Sequence, residues 1–322
     1  MNIAKDKAIQ ISQVVAKAEN ILIISHAKPD GDTLGAAFAL TNYLLKLNKK
    51  ITNFCLDPLP DMFSFLPNSH RLTTDHLVFT QKYDLVIVMD SGSLNYAGVD
   101  KLITALQPGF SMINIDHHAS NNHYADINLV VTEAASCTEV LFYLFNTLGI
   151  TLTSDIATCL LCGLVTDTGG FVNPATQYHT LEAASELVKR GANLWQVLQN
   201  TAYRQNINNL KLWGLAFSRL KKVEKYDLVY TFLKQEDFIS CEADESATEG
   251  ISNFLHILKE AKIILVLKET SDGFVKGSMR TAEDDIDLAK FCQKFGGGGH
   301  KKAAGFSLPG SLVYDNNKLS IV

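Results

Sequence analysis

The chain has 322 residues, 47% of them apolar and 20% charged, with a formal net charge of −5. That supports a substantial core and gives no global attraction to polyanions, so any nucleic-acid contact must be local and long duplex nucleic acid is not an expected partner. No apolar run in the sequence approaches the roughly 20 residues needed to span a bilayer, so no membrane partner is expected and the chain reads as cytoplasmic.

At this length a single hydrophobic core stops growing, and two domains are the expected solution. Residues 4–19 predict a helix, with Ile9, Ile11, Val14, Val15 and Ala18 as its apolar stripe. The run Ile21–Ile24 predicts a strand that leads into His26-Ala27-Lys28-Pro29-Asp30-Gly31-Asp32. Pro29 and Gly31 oppose helix there, which places the next helix start near Thr33. Residues 50–56 predict a strand, Leu85–Met89 another that ends at Asp90, and Met112–Ile115 a third that ends at Asp116-His117-His118. This alternation of short β-branched runs with helical stretches is that of a parallel sheet with helices on both faces.

Helical patterns follow at 136–148, at 154–165 just before Asp167, and at 180–189 with Gly191 as the stop. A mixed, helical stretch leads on to strands at 228–233, 263–267 and 274–280, the last two joined through Asp272-Gly273. Helices are expected at about 248–259 and 286–294. The expected organisation is an α/β chain: a parallel-sheet domain over 1–190, a helical connector over 191–214, and a smaller mixed α/β domain over 215–322.

The six cysteines are too scattered for a disulfide framework. Cys159 and Cys162 have a redox or half-zinc spacing, but inside the apolar run Ile156–Val165 they read as small buried hydrophobes. Chemistry is better sought at the strand ends, because the crevice of an open parallel sheet lies beyond the carboxyl ends of its strands. Each group there has a plain alternative. Asp30 and Asp32 flank a glycine and could equally be turn formers or helix caps. Asp90 either caps the next segment or reaches into the crevice. Asp116-His117-His118 is more specific, since neighbouring strand residues point opposite ways and an imidazole oriented by a carboxylate recurs at metal sites. Asp167 ends an apolar helix at a glycine turn, where a simple polar loop residue would also fit. The run Gly296–Gly299 before His300 reads as a loop whose amides can approach an anion, or as a plain surface loop.

Together, His26, Asp30, Asp32, Asp90, His117 and Asp167, with one carboxylate shared and a bridging water, make a ligand set for a two-metal hydrolytic centre. Carboxylates mixed with imidazoles and without thiolate favour Mn²⁺, with Mg²⁺ next. Two such ions about 3.5–4 Å apart activate water at neutral pH and clamp an in-line phosphoryl displacement, which implies phosphoester hydrolysis.

These motifs, followed by Gly297-Gly298-Gly299-His300-x-x-Ala303-Ala304-Gly305-Phe306, resemble those of the DHH/DHHA1 phosphoesterases, and among them the nanoRNase (oligoribonuclease) and pAp phosphatase branch. The resemblance covers nearly the whole chain with every motif in order. It implies that His26, Asp30 and Asp90 hold one Mn²⁺, that Asp32, Asp90, His117 and Asp167 hold the other, and that Asp90 bridges. It implies that His118 contacts the scissile phosphate while Asp116 orients both histidines, so that Asp116, His117 and His118 are the catalytic group. It also implies a C-terminal domain that closes over the cleft and grips a terminal phosphate or nucleotide through Arg280, Gly297, Gly298, Gly299 and His300. An arginine fork suits phosphate, the plain alternative for Arg280 being a surface ion pair. The activity implied is hydrolysis of short single-stranded RNA to 5′-mononucleotides and of pAp to AMP, by a monomer or a homodimer. Linear or cyclic dinucleotide signals are the alternative substrates, and an inactive nucleotide-binding or RNA-binding module is the alternative class. The intact ligand set argues against the latter. A pyrophosphatase is disfavoured because Gly-Gly-Gly-His resembles the DHHA1 rather than the DHHA2 type.

Overall fold

The computed structural model describes residues 3–173, 175–201, 206–248, 250–255, 258–315 and 318–322. The chain divides into two units, Met1–Arg204 and Gln205–Val322. The first unit runs α1 (Lys5–Lys17), β1 (Asn20–Ile24), α2 (Gly31–Lys46), β2 (Lys50–Phe54), β3 (Leu72–Thr73), β4 (Leu85–Met89), β5 (Ser111–Asp116), β6 (Ile127–Val130), α3 (Cys137–Thr147), α4 (Ser154–Asp167), α5 (Tyr178–Lys189) and α6 (Leu194–Asn200). Its six strands form one sheet in the order β3-β2-β1-β4-β5-β6, parallel at every pairing. The order reverses between β1 and β4, and ligands of doubly wound sheets bind beyond the strand ends at such a reversal.

Alternate strand residues serve the two faces. Ile21, Ile23, Leu85, Ile87, Ile113 and Ile115 pack beneath α1 to α4. Leu22, Ile24, Val86, Val88 and Met112 pack on the other side with Val78, Phe79, Leu102 and Ile103. That second face is covered by the short 3-10 turns His76–Thr80 and Leu102–Ala105 rather than by α-helices. Pro58, Pro60 and Pro67 in one crossover, and Gly92, Gly98 and Pro108 in the other, interrupt any longer helix. Strands β3 and β6 were not expected: one has two residues, the other four with a polar Asn128 inside.

Helix α2 begins at Gly31, earlier than the Thr33 predicted. Asp30 stands outside it as the N-cap, its carboxylate accepting from the Asp32 and Thr33 amides at 2.9 and 3.1 Å, and this cap outweighs the poor helix propensity of Gly31. Every residue of α2 from Gly31 to Asn42, and of α4 from Ile156 to Val165, is buried, as a helix that is apolar all round must be. The two approach closely through glycines. A Cβ on Gly35 would lie 2.5 Å from the Cys159 carbonyl oxygen, and one on Gly163 would lie 2.4 Å from the Thr138 side chain and 2.6 Å from Asp32 Oδ1. Gly163→Ala is therefore expected to cost about 1–3 kcal/mol through overpacking and to push Asp32 aside. Urea denaturation checks the first effect, and an unchanged midpoint would show that α4 can retreat without cost.

The second unit comprises α7 (Ile207–Ser218), β7 (Lys221–Val223), β8 (Leu228–Leu233), α8 (Gln235–Cys241), α9 (Ile251–Leu255), β9 (Ile263–Glu269), β10 (Phe274–Thr281), α10 (Leu288–Gln293), β11 (Gly298–His300), β12 (Ala303–Pro309), β13 (Leu312–Asp315) and β14 (Lys318–Ile321). Its main sheet has the order β11-β12-β10-β9-β8-β7, with β8 and β9 parallel and the other pairs antiparallel; β13 and β14 form a separate hairpin. Leu212, Ala216, Phe238 and Ile251 from α7, α8 and α9 pack with Val229 and Ile264 of the sheet.

Of the helix expected at 248–259, the described residues show Ile251–Leu255, after a 3-10 turn at Glu245–Thr248; residues 249, 256 and 257 lie outside the described residues. The glycine run is not a loop throughout. Gly298–His300 forms an edge strand paired with Ala303–Gly305, because the Lys301-Lys302 turn folds it back into a hairpin. Gly299 is required there: its φ is +137° and a Cβ would lie 2.6 Å from the Ala303 carbonyl oxygen. Among the described residues no helix is long and apolar enough to cross a membrane.

Candidate metal centre

The strand ends at the β1/β4 reversal bring the sequence-predicted residues of the first unit together. His26 follows β1, Asp90 follows β4 with φ +52°, Asp116 ends β5, Asp30 and Asp32 stand at the start of α2, and Asp167 ends α4. His26 Nδ1 lies 2.8 Å from the Ala27 carbonyl oxygen. A carbonyl only accepts, so Nδ1 carries a proton and Nε2 is the nitrogen turned to the carboxylates. That Nε2 is 3.7 Å from Asp30 Oδ1 and 3.4 Å from Asp90 Oδ2. In the same way His117 Nδ1 faces the Ala134 carbonyl at 3.3 Å, and its Nε2 lies 3.4 Å from Asp90 Oδ1, 3.6 Å from Asp167 Oδ2 and 3.9 Å from Asp32 Oδ2.

Two groups with one imidazole each result, His26 with Asp30 and Asp90, and Asp32 with His117 and Asp167; a third joins Asp90 and His117 to His118, whose Nδ1 is engaged by Asp116. Within each, one donor atom per residue lies within 4.8 Å of the others. The Nε2–carboxylate separations are long for hydrogen bonds, yet they are close to those of donors around one cation, since ligands about 2.1 Å from an ion and at right angles lie about 3 Å apart. Asp90 stands between the groups, and its Oδ1 is buried with no hydrogen-bond partner among the described residues. Leaving a buried carboxylate oxygen unpaired is costly, and a cation would remove that cost. The donors are all nitrogen or oxygen. Two thiols lie nearby but are engaged elsewhere: Cys55 donates to the His26 carbonyl and Cys137 to that of Ile115. The residues fit a hard or borderline divalent cation.

The electrostatics agree. Burial opposes a charge on His26, yet Asp30 and Asp90 push its pKa up to about 11. Burial likewise opposes a charge on His117, which Asp90, Asp32 and Asp167 raise to about 10. Burial, with Asp90 and Asp30 nearby, lifts Asp167 to about 6 despite His117. Burial and the Asp90 and Asp167 charges push Asp32 up as well. Burial works against ionised Asp90 too, but His117 and His26 hold it below the usual range. Without a cation these carboxylates depend on protons to offset one another, and a divalent ion would displace those protons.

Asp32 is anchored from outside the metal-facing group. It accepts from the Cys137 and Thr138 amides at 2.6 and 2.9 Å and from Thr138 Oγ1 at 2.7 Å, so it sits on the N-terminus of α3, where a negative charge is favoured. Fully buried Asp116 accepts from His118 Nδ1 at 2.8 Å, from the His117 amide at 2.8 Å and from Asn121 Nδ2 at 2.6 Å. This corrects the expectation that Asp116 orients both histidines. It holds the His118 ring but only the backbone of His117, whose own ring, 4.6 Å from that of His118, turns its Nδ1 to the Ala134 carbonyl. The Asp116 hydrogen bond raises the pKa of His118 against the opposing effect of burial, and its Nε2 remains outside that bond.

Sequence reasoning missed Asn121, the Ala134 carbonyl and the α3 amides. Ser136-Cys137-Thr138-Glu139 is a visible helix-start pattern, but nothing local in it shows that the helix end would receive Asp32 from 105 positions away. Tyr96 is 53% exposed, with its ring 5.2 Å from His26 and 6.0 Å from His118. In the second unit Arg280 pairs with Ala303, which pairs with His300. The two residues thus occupy one cross-strand row about 10 Å apart. Arg280 is half-buried and donates to the Met279 carbonyl, whereas His300 is exposed.

A parallel sheet with histidine and aspartate donors gathered at its strand reversal, followed by a separate mixed-sheet unit, is the plan of a phosphoester hydrolase. The sequence matches the DHH family, N-terminal domain, over residues 20–164 and the DHHA1 domain over residues 226–319, and the chain belongs to the DHH/DHHA1 family of phosphoesterases. It is 28% identical over 308 residues to the bifunctional oligoribonuclease and PAP phosphatase NrnA of Thermus thermophilus, covering 95% of this chain and 89% of that protein. It is 23% identical to a probable manganese-dependent inorganic pyrophosphatase of Lactobacillus gasseri, covering 85% of this chain and 89% of that one. The crystal structure of an exopolyphosphatase-related protein from Bacteroides fragilis superposes with a TM-score of 0.88 at 23% identity, over 96% of this chain and 93% of the other.

Proposed function

We propose that the chain is a Mn²⁺-dependent phosphoesterase that hydrolyses short RNA oligonucleotides to 5′-mononucleotides and pAp to AMP. The observation that carries this reading is Asp90, whose two oxygens face His26 on one side and His117 on the other while one of them lacks a hydrogen bond among the described residues. His26, Asp30 and Asp90 would hold one ion, and Asp32, Asp90, His117 and Asp167 the other. When bound, such ions lower the pKa of a water and neutralise phosphoryl oxygens. The nitrogen and oxygen donor set, together with the manganese dependence in the name of the Lactobacillus gasseri relative, supports Mn²⁺ over Mg²⁺. The activities in the name of the Thermus thermophilus relative, and a net charge of −5 that offers no broad basic surface, support small nucleotide substrates.

His118, held through Nδ1 by Asp116, presents Nε2–H to a phosphoryl oxygen. Arg280 and His300, with Gly297, Gly298 and Gly299 beside them, receive the distal phosphate of the substrate, for which a planar guanidinium fork is suited. The test is incubation of the purified protein and Mn²⁺ with a labelled dinucleotide, pAp, pApA, a cyclic dinucleotide, a long RNA and inorganic pyrophosphate. Mononucleotide from the dinucleotide and AMP from pAp are expected, with the long RNA little changed. Product from pyrophosphate alone would overturn the substrate assignment, and product from none would overturn the enzyme reading. Arg280→Ala is expected to raise KM about tenfold or more, the worth of a charge-assisted hydrogen bond, without changing Mn²⁺ content by elemental analysis.

A further inference from the structure

Glu139, in the first turn of α3, has no exposed surface, and the proposed chemistry does not use it. Its Oε1 lies 2.6 Å from His179 Nδ1, and its Oε2 accepts from the Ala135 amide at 2.8 Å and from Thr180 Oγ1 at 3.1 Å. A carboxylate taken wholly out of water is costly unless every oxygen is met, and here both are met, by groups from two separate parts of the chain. His179 is itself buried, at 8% exposure.

Three connections lead from this pair to a single donor group. The peptide fixed at Ala135 presents the neighbouring Ala134 carbonyl to His117 Nδ1. The same segment starts α3, where Ser136 Oγ accepts from the Glu139 amide at 3.0 Å and the Cys137 and Thr138 amides hold Asp32. His179 and Thr180 begin α5, at the far end of the segment that leaves Asp167, and Asn173 of that segment donates to the Asp167 carbonyl at 2.7 Å. His117, Asp32 and Asp167 are one of the donor groups described above. The other rests on different supports: His26 on the Ala27 carbonyl, Asp30 on the amides of α2, and the Asp90 amide on the Ile115 carbonyl.

We infer that Glu139 and His179 are positioning residues for the cation site of Asp32, His117 and Asp167, and that they set its affinity separately from that of the His26, Asp30 and Asp90 site. The inference rests on the proposed function, in which both groups hold an ion. The experiment is a titration of the full-length, metal-stripped protein with Mn²⁺, reading the free ion by electron paramagnetic resonance. Wild type binds two ions. His179→Ala weakens one of them about 10- to 100-fold, the usual cost of losing an outer support of a metal ligand, and leaves the other unchanged. His179→Asn, whose amide nitrogen stands where Nδ1 does, restores the wild-type isotherm, whereas His179→Gln, whose amide reaches the Nε2 position, does not. That Asn and Gln comparison decides the matter even if His179→Ala does not fold. Equal weakening of both ions, equal behaviour of Asn and Gln, or a lowered Tm with both affinities intact would overturn the inference in favour of a purely structural pair. A wild type that takes fewer than two ions would instead overturn the proposed function on which it rests.

Discussion

Asp90→Asn is expected to abolish binding of both ions and to reduce kcat by about 10³-fold or more, since metal stabilisation of a phosphoryl transition state is worth several kcal/mol and each 1.4 kcal/mol is tenfold in rate. The substitution is conservative in volume and backbone preference but not in charge or in ligating atoms. Asp90 adopts φ +52°, a conformation that asparagine tolerates as readily as aspartate, so the turn after β4 should survive. The amide keeps the volume but carries no charge, and one of its two terminal atoms is an N–H donor that cannot ligate. Asp90 approaches His26 Nε2 through Oδ2 and His117 Nε2 through Oδ1, each at 3.4 Å, so whichever way the amide turns, one group loses its shared oxygen and both lose its charge. Thermal denaturation gives a check independent of turnover. Wild type should gain about 2.7 kcal/mol per site when free Mn²⁺ is a hundredfold above Kd, and Asp90→Asn should gain almost nothing. A variant that keeps the full Mn²⁺-dependent shift in Tm would rule out Asp90 as the shared ligand.

The positions of these donors were legible because each follows an apolar run that could be little else than strand or buried helix. Ile21–Ile24, Leu85–Met89 and Ile113–Ile115 point His26, Asp90 and Asp116 toward one rim as soon as the strands are parallel. Asp30 shows why single residues were ambiguous. It is an N-cap through the Asp32 and Thr33 amides, and the same carboxylate lies 3.7 Å from His26, so capping does not remove it from the donor group. What the sequence could not disclose were contacts made by backbone atoms. The Ala134 carbonyl that turns His117, and the amides of Cys137 and Thr138 that hold Asp32, carry no side-chain signature. The glycine run shows a different limit. Composition alone favours a loop, and only the return of Ala303–Gly305 across the Lys301-Lys302 turn converts Gly298–His300 into an edge strand. The crossovers between β2 and β5 show a third, since the alternation of strands with helical stretches does not say that one face would be closed by 3-10 turns.

His118 offers the second large effect, and one separable from metal loss. Its Nδ1 is engaged by Asp116 at 2.8 Å, so although Asp90 Oδ1 lies 3.6 Å away, that nitrogen is not free to ligate. His118→Ala should therefore retain two Mn²⁺ ions while lowering kcat about 10²- to 10⁴-fold, the range for loss of a positioned proton-carrying group. Asp116→Asn tests the same arrangement from behind. Asp116 accepts from His118 and the His117 amide on one oxygen and from Asn121 on the other. An asparagine has one acceptor to offer, and turning Asn121 to compensate would break its 2.7 Å bond to Asn114. The variant must then leave either His118 or Asn121 facing a donor. The pH dependence follows in sign. Asp116 raises the His118 pKa and so keeps its ring protonated to higher pH. Replacing the carboxylate by an amide lowers that pKa toward its ordinary value, and activity that needs Nε2–H should be lost at lower pH than in wild type. A pH–rate profile of Asp116→Asn at saturating Mn²⁺ should show its alkaline limb displaced to lower pH. An unshifted limb, with two ions bound, would mean that His118 holds the substrate without its protonation state governing turnover.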